Sequence, residues 1–153
     1  MKSRQHSIEL EPLIRELLGI EGMMIVLNGH DVVGEMYTNH LREPEFDGSN
    51  GTIWGDGWHV HFNLDRITGV QFVEAKDHSI PYLYYVRFSN SKEQTVLRVY
   101  FPNPYLDEEE RLTEFQPQRL KLFELVRDKY VGTLGIVFAQ MGSSNPQIAD
   151  SVP

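Results

Sequence analysis

The order of apolar and polar residues divides the chain into a helical start, a run of strands and a helical end. Pro12 opens the segment LIRELL and Gly19 closes it; proline suits a helix start and glycine a helix stop. This predicts a short helix over 12–18 with Leu13, Ile14, Leu17 and Leu18 turned inward. Asn28-Gly29 then separates two apolar runs, the strongest short-range hairpin signal, and places strands near 23–27 and 31–37. WHVHFN alternates strictly, with Trp58, Val60 and Phe62 on one face and His59, His61 and Asn63 on the other. Three further strands are predicted at 69–75 (GVQFVEA), 82–88 (YLYYVRF) and 95–101 (TVLRVYF). Their short connections predict an antiparallel meander that also takes in the WHVHFN strand.

Residues 38–57 are polar and rich in glycine, and read as one long loop carrying Phe46 and Trp54. Pro102 and Pro104 end the sheet. The carboxylates Asp107–Glu110 suit the positive end of a helix dipole, and Pro117 divides residues 107–130 into two helices, 107–115 and 118–130. In the second, Leu120, Phe123, Val126 and Tyr130 fall near helical spacing. The apolar stretch 134–139 (LGIVFA) reads as a strand and 143–153 as a disordered tail. The fold class is α+β, mainly antiparallel sheet with helices at the ends. One domain is expected over 1–142, as 153 residues lie within the usual span of one.

Composition narrows the chemistry. There is no cysteine, which excludes disulfide scaffolds, thiolate metal sites, iron–sulfur clusters and cysteine nucleophiles. A net charge of −8 argues against nucleic acid as partner. The N-terminus has no apolar region behind its basic residues, and no stretch approaches the ~20 apolar residues of a membrane helix; a cytoplasmic location is the simplest expectation. The chain carries no phosphate-binding glycine loop and no nucleophile-elbow motif.

His59 and His61 are the sharpest local feature. Two histidines at i and i+2 on a strand point the same way, ~7 Å apart, and imidazole ligates zinc, copper and iron, haem iron included. The same pair also fits the outer face of a half-exposed strand. His30, His40 and His78 fall in turns and loops with no diagnostic spacing. Tyr85, Arg87, Arg98 and Tyr100 share one face of two neighbouring strands; the arginines suit either carboxylates of a ligand or a cross-strand acid such as Glu74.

Residues 61–75 (HFNLDRITGVQFVEA) resemble an element of the haem-utilisation family, the cytoplasmic haem carriers of the HemS/ChuX/HutX type. The strand opens with histidine, passes through a short acidic turn and continues into a second strand; two aromatic and aliphatic strands and a closing helix come after it. The resemblance spans roughly 22–130 and matches single-domain members in length. It implies a curved antiparallel sheet capped by helices, a homodimer, and haem as cofactor or cargo. It implies that His61 is the haem-iron ligand with His59 beside it. The hairpin position that offers a second ligand in some relatives falls at Asn28, two residues from His30. Chemistry rather than a family motif assigns Arg87, Arg98 and Tyr85 to the haem edge. The leading expectation is a haem-binding protein for trafficking, storage or utilisation. The competing ones are a haem-degrading oxygenase, and an interaction module that kept the fold without the ligand.

Overall fold

The computed structural model describes residues 2–29 and 31–142, with side chains from Glu9 onward; His30 and the tail expected over 143–153 lie outside the described residues. The elements in order are α1 (Lys2–Leu18), β1 (Met24–Asn28), β2 (Val33–Tyr37), β3 (Glu45–Asp47), β4 (Asn50–Trp54) and β5 (His59–Asn63). A 3-10 turn (Leu64–Arg66), β6 (Gly69–Lys76), β7 (Tyr82–Ser89), β8 (Thr95–Tyr100), α2 (Pro117–Tyr130) and β9 (Val137–Met141) complete them.

Six strands form one sheet in the order β2-β1-β8-β7-β6-β9, and β3-β4-β5 form a second, smaller one. The meander expected over 69–101 is present: β6, β7 and β8 pair antiparallel, and Val86 stands across from both Phe72 and Val99. The sheet as a whole is mixed, because β9 pairs parallel to β6. After β8 the chain crosses through α2, and a crossover of this kind delivers the next strand in a parallel sense.

Four local expectations are corrected. The first helix is not short: it runs 17 residues, with Pro12 inside it. Leu10, Leu13, Ile14, Leu17 and Leu18 are all buried, a stripe of full helical period that extends upstream of the proline and offsets the proline's local penalty. The segment 38–57 is not one loop but holds β3 and β4. β5 pairs with β4 rather than joining the meander. Gly48-Ser49 and Asp56-Gly57 make the two turns, with Gly48 at φ 61° and Gly57 at φ 80°, the left-handed conformation that glycine supplies in tight hairpin turns. The acidic run starting at Asp107 is not a helix. The Asp107 carboxylate accepts from the backbone N–H groups of Glu109 (2.8 Å) and Arg111 (3.0 Å). That local bonding competes with helix formation, and Leu106 bridges Leu112 across the turn.

The two faces of the large sheet have different fates. Ile25, Val99, Val86 and Phe72 share one face by register. They join one continuous core with α1, Phe123 and Val126 of α2, and Ile53 of the small sheet. Phe123 is the centre of this core: its ring lies 5.2 Å from Tyr84, 5.2 Å from Phe101, 6.0 Å from Phe72 and 6.3 Å from Phe138. Glu16 ties α1 to α2, accepting hydrogen bonds from Lys129 (3.0 Å) and the Tyr130 hydroxyl. Burial works against its charge, yet these two bonds hold its carboxyl below the ordinary value. The other face of the sheet carries a small cluster of Val73, Ala75 and Tyr85.

Replacing Phe123 by alanine is expected to destabilise the protein by about 3–5 kcal/mol. Leu125→Ala, two residues along the same helix and 61% exposed, should move stability by less than about 0.5 kcal/mol. Urea unfolding of both variants checks the contrast.

Candidate functional site

The histidine pair sits on the outer face of the small sheet. β4 and β5 are joined through Gly55–Gly57, and the Trp58 ring lies directly on Gly55: a Cβ there would stand 2.0 Å from Trp58 Cε2. Glycine at 55 lets the hairpin close with Trp58 inward. The register then sets Thr52 across from His61 and Trp54 across from His59. On the inner face, Ile53 is buried and Phe46, Val60 and Phe62 pack against the core. The outward residues are left as a polar and aromatic surface.

On that surface the Trp54 and His59 rings lie 4.9 Å apart, as do those of His59 and His61. The Arg42 guanidinium stands 5.7 Å from the Trp54 ring centre. His61 Nδ1 lies 3.0 Å from Thr52 Oγ1. In the tautomer whose Nδ1–H donates to that hydroxyl, Nε2 keeps its lone pair for a ligand, and the ring orientation is fixed as for metal-binding histidines generally. Arg42 is a site candidate that sequence patterning does not single out. Its position depends on the backbone bond from Arg42 N to Trp54 O (3.1 Å), which exists only because 50–54 is a strand.

The other candidates lie elsewhere. Tyr85, Arg87, Arg98 and Tyr100 do share the outer face of the large sheet: Arg87 stands across from Arg98 and Tyr85 from Tyr100, with the two tyrosine rings 4.7 Å apart. Glu74 does not pair with the arginines, because it stands across from Tyr84 on the opposite face. Arg87 instead donates to Thr95 Oγ1 (2.7 Å), Gln71 Oε1 (3.2 Å) and the Glu93 carbonyl (2.6 Å). Arg98 is only 2% exposed and donates to Asn28 Oδ1 at 2.9 Å. Arg98 and Asn28 line an open cleft of about 1330 Å³ over β2, β1 and β8, and neither His59 nor His61 belongs to its walls. The histidines and the arginines therefore occupy outer faces of two different sheets, with the shared core beneath both. His30 is outside the described residues.

Tyr37, at the cleft mouth, donates its hydroxyl to the Glu110 carboxylate. Burial, that hydrogen bond and the charges of Glu110 and Glu35 push its phenol up to about 12.

Among the described residues, no group of three or more histidine, aspartate and glutamate side chains is arranged to hold a metal ion. The His59–His61 face can supply one or two imidazoles, so it suits a metal that arrives with its other ligands already in place, as iron does in a porphyrin.

A protein-family model matches residues 11–124, about three quarters of the chain. The chain belongs to a ChuX-like family. Its fold is similar to that of a protein from Agrobacterium tumefaciens, with a TM-score of 0.65 and 21% identity over 82% of this chain and 69% of that one. It is similar to ChuX at a TM-score of 0.64 and 12% identity, over 80% of this chain and 72% of that one. A second structure of ChuX, described as a heme-binding protein, matches at 0.60 and 10% identity over 80% and 73%. No curated protein matches by sequence. At these identities the solved structures bear on the fold, and they share the α+β architecture described above.

Raising the pH should ionise Tyr37 late. Its folded pKa lies above that of the unfolded chain, so its contribution to stability is complete below about pH 10 and is lost as pH rises through about 12. An ultraviolet titration of tyrosinate is expected to lose a late-titrating component in Tyr37→Phe.

Proposed function

We propose that the protein binds haem, with His61 as the iron ligand, and acts as a haem carrier or store. The observation that carries this reading is the His61 ring, pinned through Nδ1 to Thr52 on an exposed face. Haem completes its own equatorial coordination and asks the protein for an axial imidazole and a surface for the macrocycle. Trp54 and His59 supply aromatic surface beside His61, and Arg42 supplies a cation for a propionate. ChuX, a heme-binding protein of the same fold, supports the reading.

The donor geometry favours Arg42 over Arg87 and Arg98 as the propionate partner. Arg87 already serves three acceptors within its own sheet. Arg98 is held beneath the cleft, apart from the histidine face. His59 is a flanking residue that shapes the surface, and Tyr85 packs in the sheet's outer cluster.

Titrating haemin into the wild-type protein is expected to give a saturable Soret band at one haem per chain. His61→Ala should abolish or strongly shift it, and Thr52→Val should weaken binding by about tenfold while keeping the band, as loss of an orienting hydrogen bond does at other metal sites. His78→Ala, at an exposed histidine on another turn, should change nothing. A Soret band of unchanged position and affinity in His61→Ala would overturn the assignment.

A further inference from the structure

The outer face of the large sheet holds a second, separate feature. The cleft of about 1330 Å³ exceeds the ~300–1,000 Å³ of ordinary small-molecule sites. Its floor is mixed: Met24 and Val26 of β1, Val33 of β2 and Leu83 of β7 supply apolar surface, Asn28, Arg98 and Tyr100 supply polar groups among them, and Leu122 of α2 stands at its wall. The floor crosses β2, β1 and β8; three strands at ~4.8 Å spacing make a bed ~10 Å wide, the diameter of one helix with its side chains. Exposed apolar residues concentrate at the β2 side, with Val33 51% and Tyr37 44% exposed.

The rim is acidic. Glu21, Glu35, Asp77 and the four consecutive carboxylates Asp107–Glu110 line the cleft, against Arg98 and Arg119. Arg119 is already bonded to Glu108 at 2.9 Å, and Arg98 lies at 2% exposure beside Asn28. Arg111, outside the lining, neutralises part of Asp107 and Glu109. Glu21 and Glu35 have no ion pair among the described residues. The field at the mouth is therefore negative, in a chain of net charge −8. It repels anionic ligands and steers cationic ones inward.

We propose that this cleft docks a basic, apolar-anchored segment of a partner protein. Met24, Val26, Val33 and Leu83 take the apolar anchors and the carboxylate rim takes lysines or arginines around them, a groove-and-helix mode of recognition. The proposal is independent of the haem reading, since it uses neither histidine.

The test uses a labelled amphipathic peptide of repeating leucine and lysine, its glutamate-for-lysine counterpart, and fluorescence anisotropy on the full chain. The basic peptide is expected to bind, to weaken steeply with salt, and to bind the double variant Glu21→Lys, Glu35→Lys about tenfold less well. Val33→Asp, on the cleft floor, should weaken it similarly, with circular dichroism confirming that both variants fold. Equal binding of the acidic peptide, or unchanged binding to the charge-reversed variant, would overturn the proposal. So would a fall in oligomeric mass in Val33→Asp with no peptide bound to either protein, because the occupant would then be a second copy. Haemin titration of the same variants should be unchanged, which separates failure here from failure of the haem reading.

Discussion

The insertion of Phe123 among the rings of Phe72, Tyr84, Phe101 and Phe138 is the contact on which the rest of the architecture depends. It fixes α2 against one face of a six-stranded sheet and commits that face to the core. A sheet has only two faces, and side chains alternate between them. Once Phe72, Val86 and Val99 are turned toward Phe123, Tyr85, Arg87 and Arg98 must point the other way. The same commitment places the crossover through α2, and with it the parallel pairing of β9 along the far edge.

The small sheet repeats the logic at lower cost. Its three strands bury Ile53 and pack Phe46, Val60 and Phe62 inward, so Thr52, Trp54, His59 and His61 are presented outward as a set. Two outer surfaces of opposite character result. One carries imidazoles, an indole and a nearby guanidinium; the other is a trough of mixed floor bordered by carboxylates. A dianionic ligand such as haem would be disfavoured by the carboxylates of the second surface, which is why the first is the proposed site. Arg42 is the proposed local cation in a chain whose overall charge is negative.

Much of this was legible in the residues. The long strands of the meander and the facing of Tyr85, Arg87, Arg98 and Tyr100 come from period-two patterning. The His59–His61 face does too, because alternation fixes which residues share a side whatever the partner strand. Partner choice was less legible. Whether β5 pairs with β4 or β6 depends on two tight turns, Gly48-Ser49 and Asp56-Gly57, set in a glycine-rich stretch whose short strands carry Asn50, Gly51 and Thr52, residues that β-propensity alone does not favour uniformly. The acidic segment after Pro104 has helix-start composition, but Asp107 satisfies the backbone locally before a helix propagates. Arg42 stands in no motif at all; its relevance is purely positional.

The proposed haem site is the outer face of the small sheet and not the larger cleft. Ferric haem is paramagnetic and broadens nearby amide signals, so a two-dimensional nitrogen–proton spectrum recorded with and without haemin reads the location directly. Broadening is expected to be confined to β4 and β5, at Thr52, Trp54, His59 and His61. Broadening instead at Val33, Glu35 and the 106–110 turn, with β4 and β5 unaffected, would contradict it.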